Sequence, residues 1–140
     1  MMKRTLFYVV FMSVLLICVS SCETVPNVFN APQGLVANSD VPGLVMLRWN
    51  APETVVGETL SGYKIFRDGV ALLDPESTEE HNIDLMVTSL HYIDYDVMLD
   101  CSYLYYVTAV YSKPKGESEP SNAVTVKTME SEEETVDPEA

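Results

Sequence analysis

Few side chains in this 140-residue chain are of types that do chemistry: three cysteines, two histidines and a surplus of carboxylates. His81 lies in an acidic stretch and His91 precedes Tyr92; with Asp84 they could offer three metal ligands. Their spacing matches no ligand set of known type, so they read as solvated loop residues. No HExxH zinc pattern, CxxC pair, GxSxG elbow or phosphate-cradling glycine loop occurs, and neither catalysis nor a metal or cofactor is expected. Cys101 has no adjoining base or helix start to activate it and reads as a small, semi-buried residue. Tyr92, Tyr95, Tyr106 and Phe66 could leave aromatic surface for sugar stacking or protein contact, although strands favour aromatics for packing alone. Arg67-Asp68-Gly69 has the wrong order for an adhesive Arg-Gly-Asp tripeptide, and a turn accounts for its last two residues.

The remaining chemistry is at Cys22. Lys3 and Arg4 precede an apolar run from Leu6 to Val19 broken only by Ser13, and small residues Ser20 and Ser21 follow. This is a secretory signal pattern. The run is shorter than the roughly 20 residues of a spanning helix, which favours cleavage over retention in the membrane. Val19-Ser20-Ser21-Cys22 resembles the bacterial lipobox, which implies a thioether-linked diacylglyceryl group on Cys22 and cleavage before it. Cys18 follows bulky Ile17 and does not fit. Removing residues 1–21 takes away two bases and no acid, so anchoring would rest on the acyl chains, at roughly 0.8 kcal/mol per buried methylene. Cys101 would then be the one remaining thiol, and stability would rest on packing without a disulfide.

Residues 22–31 read as a tether and 129–140, with six acids and no base, as a disordered tail. Between them, residues 32–128 carry short alternating runs rich in Val, Tyr and Ile, separated by Gly, Pro, Asn and Asp. That is an all-β pattern. Period-two alternation puts Val45, Leu47 and Trp49 on one face of a strand, and Tyr63, Ile65 and Arg67 on one face of the next. Asp68-Gly69 between apolar runs predicts a type I′ hairpin, with positive φ at both positions. Tyr103, Tyr105, Val107, Ala109 and Tyr111 share a face of the longest strand, whose partner is expected within Asn122–Thr128. Asp74–Ser89 reads as a loop followed by a short strand.

In this order the runs resemble a fibronectin type III domain of the kind found in secreted proteins of Bacteroidetes-like bacteria. The residues that carry the resemblance are 43–52 with Trp49 and Pro52, 60–69 ending in Asp68-Gly69, Tyr92-Ile93-Asp94, 103–110, and 116–121 before the last strand. The resemblance implies a two-sheet, immunoglobulin-like sandwich of about seven strands, with Trp49, Tyr63, Tyr103, Tyr105 and Val107 in its core and Tyr103 also as the tyrosine-corner residue. Two segments depart from the pattern by their length, Asp74–Ser89 and the loop containing Lys113-Pro114-Lys115.

The net charge is −13, with no basic patch, and this disfavours nucleic acid as a partner. The expectation is a protein of the bacterial cell envelope, anchored through Cys22 and held at the outer membrane, since Glu23 lacks the pattern for inner-membrane retention. Its function is expected to be non-catalytic binding or adhesion toward a protein or glycan; the alternative is a passive spacer or an accessory subunit of a larger envelope complex. Only the acidic tail follows Thr128, whereas a spacer joins two parts, which favours binding. Loops 74–89 and 112–121 are the surfaces expected to recognise a ligand.

Overall fold

Along β2 (Val45–Asn50), residues Val45, Leu47 and Trp49 are buried, while Met46, Arg48 and Asn50 point outward. The same two-residue period sets the rest of the molecule. The computed structural model describes residues 28–130 except 79, 80 and 82. In chain order it contains β1 (Gln33–Asn38), β2, β3 (Thr59–Arg67), β4 (Val70–Ala71), β5 (His91–Asp94), β6 (Ser102–Lys113), β7 (Lys115–Glu117) and β8 (Val124–Lys127). All pairings between these strands are antiparallel.

One sheet has the order β1-β2-β5; the other runs β4-β3-β6-β7, with β8 also on β6. Their inner faces enclose Leu35, Val45, Leu47, Trp49, Tyr63, Ile65, Tyr105, Val107, Ala109 and Tyr111. Tyr103 is half-buried at the margin of this core. Trp49 meets Tyr63 edge-on, with ring centroids 5.4 Å apart at 70°, the arrangement aromatic quadrupoles prefer. The Trp49 Nε1 is buried without a hydrogen-bond acceptor among the described residues. The core therefore spends one polar group to gain a large apolar one.

β7 and β8 divide the last strand between them, so eight strands are present where about seven are expected. Between them the chain leaves the ladder at Glu119-Pro120, and two serines keep it tied to β6. The Ser118 N–H donates to Ala109 O and the Ala109 N–H donates to Ser118 Oγ, both at 2.9 Å. The Ser121 N–H donates to Val107 O at 2.8 Å and its Oγ accepts from the Val107 N–H at 3.1 Å. Thr128 repeats the device beyond β8, pairing with the N–H and carbonyl of Cys101. Residues 112–121, expected as a recognition loop, thus form mainly a hairpin and its continuation along β6.

The Asp68-Gly69 turn has φ of 51° and 83°, both in the left-handed region, as a type I′ turn requires. After β4 the chain makes an excursion and returns. Asp74 N–H donates to Ile83 O and Leu85 N–H to Leu72 O, and Val87 exchanges hydrogen bonds with Tyr63. The strand expected within 74–89 is reduced to isolated bridges, Leu73–Asp84 and Tyr63–Val87. The Tyr63–Val87 bridge covers the edge of β3, which would otherwise offer unpaired backbone to another chain, and the Leu73–Asp84 bridge continues the cover past β4.

Phe29 lies within the span read as tether, yet it is buried. Its ring stacks on Tyr111 at 4.4 Å and 16°, and the Tyr111 hydroxyl donates to Asn30 O. The ring also lies where a side chain on residue 116 would point: a Cβ there would meet it at 2.1 Å, so only glycine fits. The described chain consequently enters at the end of the sandwich that carries 51–58 and 113–115. It leaves at the opposite end, beside Asp100 and the Asp68-Gly69 turn, where Asp100 N–H donates to Met129 O.

Candidate functional site

Polar side chains converge most strongly at the open edge between β4 and β5. Asp94 is buried there by the inward face of β5. Its carboxylate accepts from Arg67 Nη1 and from the Tyr105 hydroxyl, each at 2.8 Å, and from the Asp96 N–H at 3.0 Å. Arg67 also bridges to Asp96 at 3.2 Å and lies over the Tyr103 ring, 5.5 Å from its centroid. Burial, with Asp94 adding to it, pushes the Tyr105 phenol far above the usual phenol range, so it stays a donor. A groove of about 480 Å³ opens above, lined by Arg67, Tyr92, Asp94 and Asp96 on one side and Val70, Leu72 and Leu73 on the other. Chemically this cluster is closed. Its cation faces two carboxylates and its phenol is engaged, leaving neither a free acid–base pair nor an unpartnered cation for an anionic ligand.

The second feature is the outer face of the five-stranded sheet. Phe66 and Tyr106 are directly opposite each other in the β3–β6 register and stack at 4.7 Å and 12°. Both are half-exposed, and the more exposed Leu104 is two residues along on the same face. Beyond them, Lys64 bridges Asp84 at 2.7 Å and Glu117 at 3.3 Å, and the buried Thr108 hydroxyl donates to Glu117. The hydrogen bond to Asp84, first among several causes, raises the Lys64 ammonium above its ordinary value. The result is an aromatic and aliphatic strip bounded by a fixed salt-bridge network.

The other candidates of the sequence stand apart. His91 is on β5, exposed, and His81 is in the excursion. Among the described residues no three His, Cys, Asp or Glu side chains gather as a metal site would need. Cys101 is half-buried, a free thiol whose backbone is held by Thr128. The Tyr103 hydroxyl accepts from the Met98 N–H at 2.9 Å, a bond back to the chain upstream of β6 as in a tyrosine corner. Tyr95 is largely exposed, and Tyr92 lines the groove. Cys22 and the segment 131–140 lie outside the described residues. Among the described residues no helix is long and apolar enough to cross a membrane.

Sequence reasoning missed the Arg67–Asp94–Tyr105 network. Its signal was present in the alternation, which already placed Arg67 on the inward face with Tyr63 and Ile65. A charge at an inward position demands a counter-charge.

No protein-family model matches the sequence, and no curated protein matches it. Among solved structures, the fold is similar to an Fn3-like protein from Clostridium thermocellum, with a TM-score of 0.51 and 25% identity over 69% of this chain and 90% of that one. It is similar also to domains A168-A170 from titin, with a TM-score of 0.54 and 24% identity over 74% of this chain. A third is a family 28 exopolygalacturonase from Yersinia enterocolitica, at 0.52 and 21% over 72%. The chain spans 33% of the titin structure and 21% of the exopolygalacturonase. Two antiparallel sheets, the tyrosine tie and these likenesses define the fold as a fibronectin type III sandwich.

Proposed function

We propose that the chain is a non-catalytic binding module of a bacterial cell envelope, lipid-anchored at Cys22 and held at the outer membrane. The observation that carries the binding reading is the half-exposed Phe66–Tyr106–Leu104 strip, built on the two longest strands rather than on loops. An apolar strip on a rigid sheet face suits a partner. A protein suits it better than a stacked sugar, because each ring already gives one face to the other. The absence of catalysis is inferred from the closed state of the Arg67–Asp94 cluster, whose groups are engaged with one another. Fibronectin type III sandwiches commonly serve as binding or spacer units, which supports the general class and leaves the ligand to experiment.

The test is crosslinking of intact envelopes in parallel with a glycan array, using the wild-type chain and a Phe66→Thr/Tyr106→Thr double variant. Threonine keeps the strand propensity while removing both rings. Capture of a specific protein that the double variant loses supports the proposal; binding that both proteins show equally overturns the strip as its site. Acylation is tested by metabolic labelling with a fatty-acid probe, and equal labelling of Cys22→Ala would exclude Cys22 as the lipid site.

The second reading, a spacer or accessory subunit, is favoured by one observation: the described chain enters and leaves at opposite ends of the sandwich. A spacer needs that geometry. It predicts that no double-variant-sensitive partner is found.

A further inference from the structure

The end of the sandwich at which the chain enters carries three exposed valines. Val56 is fully exposed and Val55 and Val28 largely so, although β-branched apolar residues gain nothing from water. Residues 55–58 form a turn centred on Val56-Gly57 and closed by the Glu58 N–H to Val55 O bond, and the next residue, Thr59, pairs with Lys113. Lys115 follows across the tip of the β6–β7 hairpin, opposite Ser112. Val28 joins this end because Phe29 is packed on Tyr111.

Charge separates along the same axis. Lys64, Arg67 and Lys127 are each bridged to carboxylates, whereas Lys113 and Lys115 make no ion pair among the described residues. Both are exposed. Two carboxylates share this end, Glu53 and Glu58, and the second accepts the Val55 N–H. The opposite end also exposes apolar residues, among them Tyr95 and Met98, but these stand among Asp68, Asp96, Asp100 and Glu130. An anionic surface would repel that end.

We infer that the entry end, with Val28, Val55, Val56, Lys113 and Lys115, rests on an anionic phospholipid bilayer. The valines lie in the interfacial zone and the lysines against the headgroups, so the domain stands on the membrane in one orientation. This rests on the anchoring proposed above. Six residue steps separate Cys22 from Val28, a reach of at most about 22 Å at full extension. The valine turn is therefore within touching range of the surface to which Cys22 would be attached. Partition of apolar side chains combined with attraction of lysines to anionic lipid is the known basis of interfacial binding.

The test couples the chain from Cys22 onward, with Cys101→Ser, to a maleimide lipid in nanodiscs of phosphatidylethanolamine and phosphatidylglycerol. A gadolinium-bearing headgroup lipid then broadens amides near the surface. The expected result is loss of the amide signals of Val55 to Gly57 and Lys115, with those of Asp68, Gly69 and Asp96 to Asp100 retained. Val56→Asp, and separately Lys113→Glu with Lys115→Glu, should restore the lost signals, since these side chains are exposed and the spectrum itself reports the fold. Equal broadening at both ends, or no effect of either variant, overturns the orientation. Chemical coupling makes this result independent of native acylation. An unacylated Cys22 in cells would overturn the anchoring reading alone.

Discussion

Ser118, Ser121 and Thr128 each give a backbone N–H to the β6 side and take one back through their own hydroxyl oxygen. A hydroxyl there does the work of a carbonyl where the last strand departs from regular pairing. Ser118→Ala and Ser121→Ala would each leave a buried β6 N–H without its acceptor, and each is expected to cost about 1–3 kcal/mol, read as a lower urea midpoint with unchanged slope. Trp49→Ala removes the largest side chain between the sheets and should cost roughly 3–5 kcal/mol by the same measurement. A midpoint within error of wild type would contradict its place in the core. The tryptophan was legible because alternation and size both point inward; the serines were not. A serine among Glu, Pro and Asn reads as loop chemistry, and only the position of β6 reveals which groups it serves.

Tyr105 carries a pH dependence whose direction follows from its surroundings. Burial raises its phenol in the folded state, as it does for Tyr63, Tyr92 and Tyr111. Below about pH 10, the ordinary phenol value, these groups are protonated in both states and their contribution is whole. Above it the unfolded chain releases protons that the folded chain keeps, so the unfolded state binds fewer and stability falls as pH rises. Urea midpoints should therefore hold up to about pH 10 and then decline, and Tyr105→Phe should decline less steeply.

At the level of elements, two glycines fix how segments approach the second sheet. A Cβ on Gly62 would meet Val87 O at 2.8 Å, and backbone cannot step aside without breaking the Tyr63–Val87 pairing. Gly62→Ala is expected to free the returning segment, seen as faster hydrogen exchange at the Leu85 and Val87 amides than at β6 amides. At Gly116 the obstacle is a ring, so Gly116→Ala should expel Phe29 from Tyr111 and cost on the order of 1–3 kcal/mol, as overpacking does. β2, β3, the Asp68-Gly69 turn and β6 were legible because each combines alternation with turn chemistry. The edge cover at 83–87 was not, because two isolated bridges need no periodicity. Nor was Phe29, a single apolar residue among Pro and Asn whose partner is 82 positions away in Tyr111. Of the candidate strip, Phe66 and Tyr106 were recognisable as aromatics beyond the core. Their stacking depends on the β3–β6 register, which no local pattern specifies.

For the whole molecule, the described residues enter the sandwich at one tip and leave it at the other. β1 and β8 run the same way along it, each beginning nearer the entry end. Asn122 joins them across the gap between sheets: its Oδ1 accepts from the Leu35 N–H and its Nδ2 donates to Leu35 O, both at 2.9 Å. Gly34, with φ of 65°, lies where the β1–β2 register slips, and the slip releases the Leu35 backbone for this bond.

That amide clasp has a mechanical meaning. A pull applied between the two tips drags β1 one way and the last strand the other, so the bonds at Asn122 are strained sideways, in shear, and must yield together rather than one after another. Tension between the anchor and the partner proposed above would thus be borne first at the Asn122 side chain, which spans the two sheets. Stretching single molecules from the two termini should show Asn122→Ala giving way at lower force than wild type. An unchanged force would move the weight to the β3–β6 ladder instead.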